Sequence, residues 1–404
     1  MAGSSPTYRV KPGSSPLWAS EPFRVFFPLG LLAGMLGVLL WPMFYAGWWP
    51  LQPAQLHPRL MIFGFGMAFV TGFLGTAWPR FLESVALSAA EVILLAFLWL
   101  LTQFFYLAVS LPSGDLLAAI ALTFLLVVLI RRVDFDRPLP PPGFALAFTA
   151  VAMAAGVAYY WAWREANLSP RAVIFTRLLL YQGFLLLPIL GVGSYLFLRF
   201  FVVPGQKRPP QADGSGPGAP PPSAAKRFRA WFVWGAAALV VGSFGLEASG
   251  WVRSANALRL AALLIWAIGA LPRLWKGRAP NTRAWALRVA LSSIGLSYLL
   301  RIAFPKWLFA VEHLLFLGGF GLAMLLTADR VALGHCADPA AAPAKSKAWR
   351  WIAWIVLIAV ATRGTADLIP KIMISHHIYA ALLWTAAGGI WIALHARHWT
   401  RSSE

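Results

Sequence analysis

Residues Val25–Trp48 read VFFPLGLLAGMLGVLLWPMFYAGW, without one charged side chain. A helix rises about 1.5 Å per residue, so about 20 apolar residues cross the hydrocarbon core of a bilayer. Stretches of the same character recur near residues 60–80, 86–109, 115–131, 143–163, 174–199, 231–249, 257–275, 284–303, 311–329, 350–369 and 374–395. The fourth is short and the sixth long, and the eleventh carries Arg363 and Asp367 near its end. The chain therefore reads as all-α, a polytopic transmembrane helical bundle of about twelve spans. Composition agrees. Of 404 residues, 59% are hydrophobic and 12% charged, about half the charge that keeps a soluble domain dissolved. An ordinary soluble enzyme and a disordered basic binder are both excluded.

The net charge of +20 has a topological explanation. Arg24, the loop with Arg131, Arg132 and Arg137, and the loop with Lys207, Arg208, Lys226, Arg227 and Arg229 fall on one side of a twelve-span chain. So do the loops with Arg273, Lys276, Arg278 and Arg283, and with Lys345, Lys347 and Arg350. Basic connections stay in the cytoplasm, which predicts cytoplasmic termini and a basic belt facing lipid headgroups. Nucleic acid is not needed as a partner. The Pro/Gly-rich stretch 204–229 predicts a flexible cytoplasmic linker. It separates a polar tail (1–23) and a first six-span half (24–203) from a second half (230–398) and a short C-terminal tail (399–404). No phosphate loop, dinucleotide fingerprint or HExxH motif is present.

The polar residues are placed unevenly. His57 opens the second span, His313 the tenth, and His376 with His377 the twelfth, all on the predicted outer side. His335, His395 and His398 fall at the other ends. Imidazoles at helix ends are either interfacial anchors or ligands of a metal or haem shared by these helices. Because His376 and His377 point about 100° apart on a helix, at most one faces the interior. Glycines follow the histidines: Gly64 and Gly66 in the second span, Gly318, Gly319 and Gly321 in the tenth. They serve helix packing or the close approach of a flat ligand. Arg177, Arg259, Arg288, Arg301 and Arg363 either snorkel to headgroups or clamp carboxylates such as haem propionates. Glu91 is expected to meet an arginine of another helix. Glu312 is expected to orient a ligand, accept a proton or do neither. Trp48, Trp49, Trp161, Trp163, Trp307, Trp349 and Trp351 fit an aromatic belt at the interfaces. Cys336 is the one cysteine, so no intrachain disulfide forms.

With these residues in place the chain resembles the NnrS family, bacterial twelve-span membrane proteins. The likeness lies in EPFRVFF at 21–27, in His57 through Phe63-Gly64-Phe65 and Gly72-Phe73, in Gln182-Gly183 with Gly191-Val192-Gly193, and in His313 with its glycines followed by Arg330 and Leu333-Gly334-His335. Arg59 and Leu60 stand where the family has a second histidine and a glutamate. The resemblance implies an inner-membrane, multi-pass protein that contains haem and copper and acts against nitric oxide or nitrosative stress. The residues themselves nominate cofactor contacts at His57, His313, His376, His377, Arg59, Arg177 and Arg330, and metal contacts at His57, His313, His377 and the soft-ligand pair His335 and Cys336, a copper or redox candidate. A looser likeness to haem–copper oxidases, whose low-spin haem is held by their second and tenth spans, favours a haem bridging His57 and His313. On this reading the partners are lipid, a small diatomic gas such as NO, and a redox partner or respiratory complex. Two other readings stay open. One is a cofactor-free transporter of a small anion or metal complex, the other a structural subunit of a respiratory membrane complex. The sequence does not decide whether the chain is an enzyme.

Overall fold

The computed structural model describes residues 16–134, 136, 141–164, 167–201, 224–271, 274–335 and 347–399, with the side chains of 224–229 and 397–399 outside the description. Among the described residues all regular structure is helical, and twelve helices are long and apolar enough to cross a membrane. They are α1 (Phe23–Tyr45), α2 (Leu56–Phe81), α3 (Ala89–Ala108), α4 (Leu111–Ile130), α5 (Phe144–Arg164), α6 (Pro170–Phe201), α7 (Ala230–Ala248), α8 (Val252–Ala270), α9 (Thr282–Ala303), α10 (Leu308–Gly334), α11 (Lys347–Leu368) and α12 (Pro370–Ala396). Twelve alternating crossings place both ends of the described chain on one face. That face also receives the 204–229 segment, so we call it the linker face and the opposite one the histidine face.

Each span packs against its successor in sequence, and α12 packs against α1, closing the bundle. Inside the closed ring, α2, α6 and α10 converge on one internal cavity. Each of these three contains a stretch of wide π turns, at Leu60–Gly66, Leu179–Gly183 and Leu314–Gly321. The widening therefore recurs every fourth span. A π turn is one residue inserted into an α-helix and is common beside functional groups.

The glycines of α2 and α10 have a plainer use than ligand approach. A Cβ on Gly64 would meet Ala33 and Gln103, on Gly319 Ile294, and on Gly321 Trp384. Neighbouring side chains fill these positions, so the glycines bring helices together and leave no flat cradle.

Several boundaries and side-chain placements differ from those expected. The fourth span is not short. It begins at Leu111 with Pro112 in its first turn, capped by Ser110, and takes in Asp115, which Arg59 neutralises. The eighth begins five residues earlier than expected, at Val252, whose carbonyl accepts from the buried Asn256, and its Arg259 pairs with Glu247. In α11, Arg363 and Asp367 pair with each other one turn apart, at 2.6 Å. The expected linker 204–229 is helical from Ala224 onward. The part at 204–223 lies outside the described residues. Trp161 and Trp349, expected in the aromatic belt, turn inward: Trp161 bonds Thr176 at 2.9 Å and Trp349 bonds Asp329 at 3.0 Å. Glu91 meets Arg132 at 2.6 Å, as expected.

Candidate functional site

Five helix ends meet at one sector of the histidine face. α1 brings Trp41 and Tyr45, α2 His57, α10 His313, α11 Arg363 with Asp367, and α12 His377. The Tyr45 hydroxyl and His377 Nδ1 are hydrogen-bonded at 2.7 Å. Trp41 lies between two imidazoles, its ring centre 5.1 Å from that of His377 and 6.3 Å from that of His57. Asp367, held by Arg363, places its other oxygen 3.9 Å from His377 Nε2, too far for a hydrogen bond. His313 lies within electrostatic range of His57, Arg363 and Asp367, and His57 within range of Arg363 and His377. The structure thus gathers His57, His313 and His377, and divides the adjacent pair. His377 is buried against Tyr45 and Trp41, while His376 turns aside to Ser375 and Tyr379.

Hydrogen bonding fixes the tautomer of two of these rings. His57 Nδ1 lies 2.9 Å from the Gly37 carbonyl across the α1–α2 contact, and His313 Nδ1 lies 2.6 Å from the Phe309 carbonyl one turn back. A carbonyl only accepts, so Nδ1 carries the proton in both rings, and each Nε2 keeps its lone pair. Neither Nε2 has a hydrogen bond among the described residues. Gly37 makes the first contact possible, since a Cβ there would press on Leu60 and Met61. At the same face the buried Trp49 Nε1 and His377 Nε2 have no hydrogen-bond partner. Buried polar atoms are nearly always satisfied, so these two mark a place where protein partners alone do not complete the structure.

The other sequence candidates lie elsewhere. Arg59 is buried and committed to Asp115, with Nε at 3.0 Å from one carboxylate oxygen and Nη2 at 2.8 Å from the other. The Tyr106 hydroxyl donates to the same carboxylate at 2.7 Å, and the missing Cβ of Gly114 leaves room for its ring. Arg177, on α6, lies over the Tyr181 ring with 5.5 Å to its centre. Arg330 and His335 are at the linker face, one exposed and one partly buried against Phe23. His335 donates from Nδ1 to the Val331 carbonyl at 2.7 Å. Burial, reinforced by Arg80, pushes its imidazole down to about 4. Cys336 lies outside the described residues. Arg288 reaches the loop carbonyls of Leu274, Lys276 and Gly277. Among the described residues, no three His, Cys, Asp or Glu side chains come together as a metal site.

Two further polar clusters occupy the same face. In one, Arg59, Asp115 and Tyr106 join α2, α4 and α3, with Trp161 of α5 beneath the guanidinium at 5.2 Å. In the other, Glu247 of α7 receives Arg259 of α8 at 2.6 Å and Arg301 of α9 at 3.2 Å. Glu312 lines a small pocket beside them with Gln182 and Tyr298. Arg301 also reaches the Pro305 carbonyl. Only the sector of α1, α2, α10, α11 and α12 is built around imidazoles. Sequence reading located those imidazoles. It missed Trp41, Tyr45 and Gly37, which position them, because uncharged residues in an apolar helix give no signal until the neighbouring helix is known.

Fold and site together define a multi-pass membrane protein of twelve helices in which imidazoles from α2, α10 and α12 meet at one face. No curated protein matches the chain. It belongs to the NnrS family: the family model described as NnrS protein matches residues 16–402, nearly the whole chain.

Proposed function

We propose that this NnrS-family protein is an integral membrane haem protein that binds or turns over nitric oxide in defence against nitrosative stress or in denitrification. His57 and His313 are the residues that would hold the haem iron. The observation that carries the reading is the matched state of these two imidazoles. They come from facing helices, at one face and within reach of each other's field, each with Nδ1 committed to a carbonyl and Nε2 open. That second-shell bond is the one that orients iron-binding imidazoles and raises their basicity. Haem takes one or two axial ligands from protein, so two imidazoles suffice where three-ligand metal sites do not form. The donor set fits haem, and the reading stops short of copper, for which no three ligands converge among the described residues.

When bound, haem would supply redox chemistry, and a coordination position for a diatomic gas where only one of the two imidazoles holds the iron. The chain's own residues do the rest. Gly37 and Phe309 fix the two rings. Trp41 fills the space between His57 and His377, which excludes water from that side. Tyr45 holds His377 close by, as a hydrogen-bonding group or a second-site ligand. Arg363 adds a fixed positive charge beside the pair, where an anionic propionate would be welcome.

The test is an absorption spectrum with metal analysis of detergent-solubilised protein from haem-replete cells. The reading expects about one haem per chain and a Soret band that is lost in His313→Ala and in His57→Ala and kept in His376→Ala. A folded but colourless protein overturns it.

A further inference from the structure

Half a helix length below the imidazoles, α1, α2, α5, α6 and α10 line a partly open cavity of about 80 Å³. It lies toward the linker face: Phe69 is twelve residues beyond His57 on α2, about 18 Å along the axis. The sequence explains why the space stays open. Small residues occupy it from three helices, Ala147 on α5, Gly193 on α6, and Ala323 with Ala328 on α10. Phe27, Phe69 and Phe197 close it with rigid rings that cannot collapse inward. Pro188 also lines it, at a point where α6 cannot form a regular backbone bond.

The lining chooses the occupant. Nearly all of the surface is apolar, and the one hydroxyl, that of Thr327, is spent on the Ala323 carbonyl at 2.9 Å. Water needs two to four polar partners to stay in such a space, and an ion needs more. Val70, Phe73, Pro188, Met324 and Thr327 are partly exposed and leave one side open, so an acyl chain is the rival occupant. The volume is about half that of a dry protein cavity known to admit benzene or xenon. A single small uncharged molecule fits, and molecules of that kind concentrate in the bilayer and cross side-chain packing by ordinary fluctuation.

We propose that this cavity is a binding site for one small apolar gas molecule, held between the three converging helices on its way through the protein. The site is defined without haem. It rests on the reading above only for the identity of its natural occupant, a diatomic gas.

The experiment uses xenon as probe on the full-length protein in detergent, read by xenon NMR. One saturable site is expected. Ala323→Leu and Ala147→Leu fill the cavity from opposite walls and should each abolish it, and Ala361→Leu on the exposed surface of α11 should not. Two walls are used so that a folding failure in one variant leaves the other to decide. The proposal is overturned if xenon shows no saturable binding or if both filling variants retain it. It is equally overturned if the site opens only after lipid is stripped away, which would assign it to an acyl chain. Absence of xenon binding in a protein with an intact Soret band refutes this proposal alone. Xenon binding in a colourless protein refutes only the haem reading.

Discussion

Two kinds of histidine occur in the bundle. At the linker face, His395 is fully buried and engages both ring nitrogens, Nδ1 with the Trp391 carbonyl at 2.9 Å and Nε2 with Asp329 at 3.0 Å. Asp329 also receives Arg283 at 2.6 Å and Trp349 at 3.0 Å. At the histidine face, His57 and His313 spend one nitrogen each and keep the other open. The first arrangement is a completed knot that ties α9, α10, α11 and α12 together. The second is half of an arrangement, oriented and left with a donor to spare. His395 is buried while His57 and His313 are partly exposed, and His335 at the linker face also leaves Nε2 unpartnered, so an open nitrogen marks a ring ready for a ligand only where other imidazoles gather beside it.

The largest effect that would break this comparison concerns bound haem. His57→Ala or His313→Ala should lower haem content by at least about tenfold, since even outer-shell changes cost about 10–100-fold in metal affinity. His395→Ala should leave haem per folded chain unchanged. Equal losses in all three would erase the distinction. The next effect is on stability. Asp115→Ala strands the buried Arg59 guanidinium, and removing one partner of a buried pair costs about 3–5 kcal/mol. Denaturation in detergent should show that loss, and the double change Arg59→Met with Asp115→Leu should recover most of it. A smaller loss is expected for His395→Ala, about 1.5–3 kcal/mol for one hydrogen bond to a charged carboxylate that Trp349 and Arg283 still satisfy.

His335 sharpens the comparison through pH. Its ring stays neutral in the folded protein down to about 4, whereas the unfolded chain takes up the proton near 6.5. Stability from this group is complete above pH 6.5 and is lost as the pH falls toward 4, at no more than about 1.4 kcal/mol per pH unit. His335→Gln should flatten that part of the stability profile without altering it above pH 7. A slope that survives the substitution would assign the acid sensitivity to another group.

Much of this architecture was legible in the sequence. Apolar length alone gives twelve spans, and the parity of the spans puts His57, His313, His376 and His377 at one end. What could not be read is which charge meets which. Asp115 and Arg59 are 56 residues apart in the chain and bonded in the fold. An isolated carboxylate near a helix start looks like a boundary until its partner is known, which is why the fourth span seemed short. The same holds for Arg259, whose partner Glu247 lies on the preceding helix. The imidazoles carried a sequence signal because ionisable groups are rare inside spans. Their positioning residues, Trp41, Tyr45 and Gly37, resemble any other membrane-helix residue until packing gives them a role.

The wide turns of α2, α6 and α10 have a consequence for how the protein can change. One inserted residue rotates everything on one side of it by about 100° relative to the other. Deleting a single residue from 60–66 or 314–321 would therefore swing His57 or His313 out of alignment while the deeper half of the same helix kept its neighbours. The three helices are divided at these points into an upper and a lower segment with separate phases. Selection can retune the chemistry at one surface of the membrane without disturbing the aperture in its middle.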